Sequence, residues 1–328
     1  MGLREVIIIG GGLAGLSAAL YLGRSRRDTL LIHSGRSMAK WEAGVENYLG
    51  LSDGIAGTDL LDRGMEQAVR FEVEVAEDEV TSVMTNGETF QIEGRQGSYD
   101  AKRVMIATGL THLPPEIPGV RECLGKSLFF CKDCDAYSVQ GQRLVVIGRN
   151  NEAVDYALGM LLFTPSVALA TNGREAQWDK DHAGWLKEYQ IPMRQDGILA
   201  LEHEAGRLPT LTFACGEPAQ VDAIFTTRGD VPHSALALGA GACVDTEGQI
   251  IVDDRLRTTV PGLYAAGCVT PANCQMIIAA GQGVAAAQAI NRDLFEESLR
   301  RHTLPRFGGQ VHEWKTREQD SAAPPSSS

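Results

Sequence analysis

Residues 5–15 read EVIIIGGGLAG, and this stretch decides the fold. Val6 to Ile9 are β-branched and apolar, as a strand buried in a parallel sheet requires. Gly10-x-Gly12-x-x-Gly15 follows at once. In a dinucleotide-binding turn the first glycine makes the tight turn, the second lets pyrophosphate approach the backbone, and the third lets helix pack on strand. Leu13, Leu16 and Leu20, with Ala18 and Ala19, then fall at helical spacing over residues 13–24. The N-terminus of that helix would present free N–H groups and its dipole to an anion. Residues 29–33 (TLLIH) are a second strand, completing a β-turn-α-β unit of about thirty residues. Gly10, Gly12, Leu13, Ala14 and Gly15 are thus candidate cofactor residues. The acid expected about twenty positions on, where it would hold the adenosine ribose, is missing. The strand ends His33-Ser34-Gly35, which leaves Ser34 or a backbone group for that task.

A second unit of the same kind begins at residue 143. Residues 143–147 (RLVVI) are its strand, Gly148 to Asn151 its turn, Glu152 to Phe163 its helix, and residues 166–171 and 220–227 further strands. Between the units, residues 57–70 have the spacing of an amphipathic helix, residues 78–95 alternate as an antiparallel meander, and residues 102–107 form a buried strand. Proline-rich residues 113–119 mark a boundary. After residue 243 the pattern returns to the first unit, with short strands at 250–252 and 263–265 and an Ala-rich helix at 275–298. One unit and a meander do not complete a sheet, so the second unit reads as inserted in the first. The fold class is α/β, with two Rossmann-like nucleotide-binding domains of three-layer ββα form. The expected division is 1–115 and 244–309 for the host domain, 116–243 for the insert, and 310–328 for a flexible tail of disordered composition.

A chain of 328 residues has ample length for two cores. Its net charge of −12 argues against nucleic acid, which needs a basic surface. The most apolar stretch, 276–290, is too short and too broken by glycine to span a bilayer. The N-terminus enters a strand at once, with no signal-peptide pattern, so a cytoplasmic protein is expected. Seven cysteines leave at least one unpaired within the chain. Cys123, Cys215, Cys243, Cys268 and Cys274 each read as a small buried apolar residue.

Cys131-Lys132-Asp133-Cys134-Asp135 stands apart, directly before the second unit. A C-x-x-C pair can be half a zinc site, a redox disulfide, or two unrelated thiols. A zinc site needs two more ligands at matching spacing, and neither a second C-x-x-C nor an H-x(3–5)-H pair exists, so no metal is expected. A redox pair is favoured because a nucleotide fold of flavin type gives the disulfide an electron partner. Asp135 then reads as a proton donor or acceptor for the thiolate, or else as a turn or N-cap aspartate.

Together these residues resemble the low-molecular-weight thioredoxin reductase family over residues 5–300. The matching elements are Gly10–Gly15, Val45-Glu46-Asn47-Tyr48-Leu49-Gly50, Ala107-Thr108-Gly109, Cys131-x-x-Cys134-Asp135, Pro261-Gly262-Leu263-Tyr264-Ala265-Ala266-Gly267, and Gln275 before Ala279-Ala280-Gly281. The resemblance implies a homodimer whose host domain binds FAD and whose central domain carries the disulfide. It implies that Cys134 faces the flavin, that Cys131 attacks an external disulfide, and that the central domain rotates between two electron partners. It adds Asn47, Val80, Ala107, Thr108, Gly109, Gly267, Cys268, Gln275 and Met276 to Ser34 and the glycine turn as residues that hold FAD.

The departures from the family are as informative. Its central GxGxxA reads Gly148-Arg149-Asn150-Asn151-Glu152-Ala153, with Asn150 where pyrophosphate would approach. Its HRRxxxR, which grips the NADPH 2′-phosphate, reads Thr171-Asn172-Gly173-Arg174-Glu175-Ala176-Gln177, leaving one arginine where a cluster is needed. Its Ala-Gly-Asp ends in Cys268, and the arginine before its glutamine is Cys274. The FAD cradle and the disulfide are kept, and the NADPH grip is lost. That pattern resembles two NADPH-independent branches: the diflavin-linked disulfide oxidoreductases of oxygenic photosynthetic prokaryotes, with a second FAD near the first, and the ferredoxin-dependent flavin thioredoxin reductases. The number of altered cofactor contacts favours the diflavin branch. Trp41 and Trp314 are candidates to stack on a flavin ring, or else a packing residue and a tail residue. The expected partner is a dithiol or disulfide protein or a small thiol. An ordinary NADPH-dependent thioredoxin reductase and a non-catalytic flavin-binding redox sensor are the competing readings.

Overall fold

The computed structural model describes residues 2–227 and 229–304. The first apolar run forms the strand Arg4–Ile9 at the heart of a seven-stranded sheet. Parallel neighbours Thr29–His33 and Ser98–Ile106 flank it, and Glu74–Glu77 extends the sheet beyond Thr29–His33. Val6, Ile7 and Ile8 are fully buried, which explains why this strand is an unbroken apolar run and not an alternating one. Ser98–Ile106 is longer than the expected 102–107 because, beside Arg4–Ile9, it serves two further partners on its other edge. Its first residues pair antiparallel with Phe90–Gly94 of the meander, and its last three pair parallel with Leu263–Ala265. The return of the chain to the host sheet after residue 243 is therefore seen directly. Of the expected strand at 250–252, only Ile250 pairs, in an isolated bridge to Val244.

A second, five-stranded parallel sheet runs Met193–Arg194, Val167–Ala170, Leu144–Ile147, Ala223–Thr226, Leu128–Phe129. Helices Asn151–Met160 and Lys180–Glu188 pack on one face through Ala153, Val154, Ala157, Met160 and Leu186. An antiparallel ribbon, Ile198–Glu204, Arg207–Phe213 and Ala219–Gln220, packs on the other through Ile198, Leu201, Leu211 and Phe213. This is the ββα layering expected of a Rossmann-like domain. The helix expected at 152–163 stops at Met160.

The chain passes from the first sheet to the second and back along one two-stranded ribbon, Leu110–His112 against Asp230–Pro232. His233 fastens the crossing, with its N–H on Gly109 O at 2.9 Å and its carbonyl accepting from Thr108 Oγ1 at 2.7 Å. The Ala-rich helix runs Met276–Arg300. From Arg292 the chain belongs to a separate compact unit, in which Arg301 pairs with Glu297 one turn back at 3.1 Å. The tail expected at 310–328, with Trp314, lies outside the described residues.

Candidate active site

The first glycine turn has the geometry its sequence demanded. Gly10 sits at φ 122°, where L side chains are strained, and a Cβ there would lie 2.1 Å from Ala107 O. A Cβ on Gly15 would lie 1.9 Å from Gly10 O. Gly12 differs, since a Cβ there would meet nothing nearer than Ser37 Oγ at 3.7 Å. Gly12 is the N-cap of helix Leu13–Arg24, and no side chain caps it. Open space in front of unsatisfied helix N–H groups fits a pyrophosphate. Gly267 and Gly283 close the other side, where Cβ atoms would lie 3.0 Å from Ala14 Cβ and 2.1 Å from Ala14 O. Gly10, Gly12, Leu13, Ala14, Gly15, Ala107 and Gly267 thus converge on one cradle. Thr108 and Gly109 lead from it into the crossing ribbon. Ser34 Oγ accepts from Arg36 Nε at 3.3 Å, and Val80 opens the meander and packs on its apolar core.

A second group converges on the cysteine pair. Cys131 and Cys134 form a disulfide. Cys131 is the N-cap of the short helix Lys132–Asp135, and its sulfur accepts from Cys134 N–H at 3.1 Å. That N–H favours negative charge on Cys131 once the bond is reduced. Gln275, one residue before helix Met276–Arg300, donates its Nε2 to both sulfurs, at 3.4 Å to Cys131 and 3.3 Å to Cys134. Its Oε1 accepts from Asn47 Nδ2 at 3.3 Å. Asn47, Gln275 and the disulfide, far apart in sequence, are one chain of contacts.

Burial pushes the Asp135 carboxyl up to about 7, and the Glu42 carboxylate adds to the effect. Glu42 is itself raised by burial, partly offset by His112. His112 is hydrogen-bonded to Asp230 and stacks on Phe130, with centroids 4.8 Å apart; Trp41 lies 6.3 Å from Phe130 on a tilted ring. Glu42, His112 and Phe130 escaped sequence reading, because nothing in their local pattern marks them and only the fold assembles them.

Four of the five remaining cysteines overturn the reading of buried apolar residues. Cys268 and Cys274 are joined in a second disulfide across a short loop, and Cys215 and Cys243 are exposed free thiols. Cys123 alone is buried as expected, and burial raises its thiol pKa.

The second glycine turn is built differently from the first. A Cβ on Gly148 would lie 2.4 Å from Thr227 Oγ1 and 2.5 Å from Ala153 Cβ, so the tight turn is retained. Asn150 occupies the N-cap of helix Asn151–Met160, its Oδ1 accepting from Ala153 N–H at 3.2 Å. Asn151 and Asp179 exchange two hydrogen bonds, at 2.9 and 3.0 Å. His182 Nδ1 lies 2.6 Å from Asp179, and its Nε2 lies 3.4 Å from Asp155. Hydrogen bonds from the His182 N–H and ring hold the Asp179 carboxyl down at about 2, so it is anionic at any ordinary pH. Arg174 is exposed.

Among the described residues, no helix is long and apolar enough to cross a membrane. Residues 4–288 match the family model for pyridine nucleotide-disulphide oxidoreductases. A thioredoxin reductase of Treponema pallidum is 32% identical over 296 residues, 87% of this chain and 95% of its own. Among solved structures, that of HlmI superposes with a TM-score of 0.86 at 32% identity, covering 92% of this chain and 95% of HlmI. A thioredoxin reductase from Streptococcus pyogenes superposes with a TM-score of 0.84 at 25% identity, covering 90% of this chain and 99% of its own. The cradle, the adjoining C-x-x-C disulfide and these matches agree: the chain belongs to the pyridine nucleotide-disulphide oxidoreductase family, as a thioredoxin reductase-like, FAD-dependent disulfide oxidoreductase.

Proposed function

We propose that this enzyme exchanges electrons between FAD and the Cys131–Cys134 disulfide without NADPH, acting on a dithiol or disulfide partner, protein or small molecule. The observation that carries the proposal is the occupied second turn. Asn150 satisfies a helix N–H that a pyrophosphate would otherwise take, and residues 171–177 offer Arg174 alone where a 2′-phosphate would need a cluster of cations.

FAD, when bound, supplies a carrier of an electron pair beside the disulfide. The protein's own residues do the rest. Gly10, Gly12, Leu13, Ala14, Gly15, Ala107, Thr108, Gly109 and Gly267 form its cradle, and Ser34, Asn47, Val80, Cys268, Gln275 and Met276 complete it. Cys131 exchanges with the external thiol, and Cys134 is the sulfur on the FAD side. Asp135, half-ionised near neutrality, holds the proton that thiol and thiolate pass between them. The finer reading places the chain in the diflavin branch, as a cytoplasmic homodimer with a second FAD on each chain and Trp41 as its stacking residue. In this reading residues 1–115 and the segment from 244 to the start of the separate unit at Arg292 are its FAD domain, short of the 309 expected from the sequence, and 116–243 its disulfide domain.

One observation favours the NADPH-dependent alternative. Thr226 Oγ1 and Thr227 Oγ1 are buried without a partner at the end of the strand beside Gly148, where a ligand could supply one. Anaerobic mixing separates the readings. Bleaching of the flavin by a dithiol and not by NADPH supports the proposal, whereas rapid bleaching by NADPH refutes it. Flavin released per chain on denaturation tests the second FAD.

A further inference from the structure

We infer that Cys268–Cys274 is a second redox-active disulfide of the same centre, taking electrons from dithiols. The inference rests on the proposed dithiol chemistry of Cys131–Cys134. Its ground is position. Cys268 follows Gly267, which abuts Ala14 in the first turn of the cradle helix. Cys274 precedes Gln275, whose amide touches both sulfurs of Cys131–Cys134. Each cysteine of the second pair is therefore the sequence neighbour of a contact residue: Cys268 of one that abuts the cofactor cradle, and Cys274 of one that touches the first pair.

The loop it closes does not depend on the cross-link. Val269 and Thr270 are fully buried, and Ile250 N–H binds Val269 O at 2.8 Å. Thr270 N–H and Oγ1 both bind Gly267 O, at 2.9 and 2.8 Å, and Gln275 N–H binds Asn273 O at 2.8 Å. Backbone bonds already hold both ends. Cys274 is only half-buried and follows exposed Asn273, so an external thiol has an approach to its sulfur, while Cys268 adjoins the cradle residue Gly267.

The step balances without another reactant. One thiolate of a dithiol that can close to a small ring attacks a sulfur of Cys268–Cys274; that S–S bond breaks and a mixed disulfide forms. The second thiol of the substrate resolves it. The substrate leaves as its cyclic disulfide, and Cys268 and Cys274 receive the electron pair and the two protons.

The test uses the full-length FAD-loaded protein, mixed anaerobically with reduced lipoamide, quenched by alkylation at successive times and mapped by mass spectrometry. Alkylation of Cys268 and Cys274 within the time course of Cys131 and Cys134, and its loss when oxidised lipoamide is added before the quench, is the expected result. A 268–274 peptide that stays cross-linked while Cys131 and Cys134 are alkylated overturns this inference alone. If neither pair is alkylated, the proposed dithiol chemistry fails as well. In a reductive titration normalised to bound FAD, C268S/C274S should take up one electron pair fewer per flavin than the wild type, and coincident titrations would make the bond purely structural.

Discussion

At the scale of single residues, the two roles of glycine in the first turn separate cleanly. Gly15 has a backbone oxygen 1.9 Å from any added Cβ, whereas Gly12 faces open space. Gly15→Ala should therefore destabilise the fold by roughly 3 kcal/mol or more. Gly12→Val should change the stability of the FAD-free protein by no more than about 1 kcal/mol and abolish FAD retention, as flavin content after gel filtration will show. Cys131→Ser should keep FAD and lose at least about a hundredfold in exchange with external thiols, since the remaining thiol cannot form the cyclic disulfide. Asp135 gives a pH signature. Its folded pKa is raised, so the folded state binds the proton more tightly than the unfolded chain does. The stability this contributes is full below about pH 4 and is lost as pH climbs through about 7. Asp135→Asn should remove that decline, worth up to about 4 kcal/mol, and flatten the neutral inflection in the exchange rate; denaturation midpoints at about pH 5 and about pH 8 decide it. The cysteines and glycines were legible in the sequence because their chemistry is local. Glu42 and His112 were not, because a carboxylate or imidazole acquires its role from what the fold buries beside it.

Whole elements were readable wherever one period ran unbroken. The strands Arg4–Ile9, Thr29–His33 and Leu144–Ile147 are buried on both faces, and the helices Leu13–Arg24 and Gly57–Arg70 repeat their apolar positions over several turns. The ribbon Ile198–Phe213 escaped, because its two long strands carry register shifts that break the alternation. The second turn shows the limit of a motif. Asn150 was read as an obstacle to pyrophosphate, and in the structure it is also a helix cap, with φ −109° and no need for glycine. Asn150→Gly alone should lose only about a few tenths of a kcal/mol of cap stability, and together with arginines at 171–173 it should gain a measurable flavin response to NADPH if the missing contacts are the cause. A folded variant with no such response would place the cause elsewhere in the domain.

Taken as a whole, the molecule is a sheet interrupted by another sheet. That much was legible, since the chain resumed its first pattern after residue 243. The way the interruption is joined was not, for Leu110–His112 and Asp230–Pro232 are too short to announce themselves. Their pairing brings the two ends of the insert to adjacent positions, with Thr111 opposite Val231. A chain in which residues 113–229 are replaced by an Asn-Gly turn should therefore still fold and bind FAD, with flavin-to-protein ratio as the measure. The same pairing bears on descent. The turn at Gly148 and the cradle at Gly10 lie in sheets that share no strand. Mutation in the insert can replace one source of electrons with another while the host half goes on holding its cofactor unchanged, so a lineage can change what feeds the enzyme without first giving up what the enzyme is.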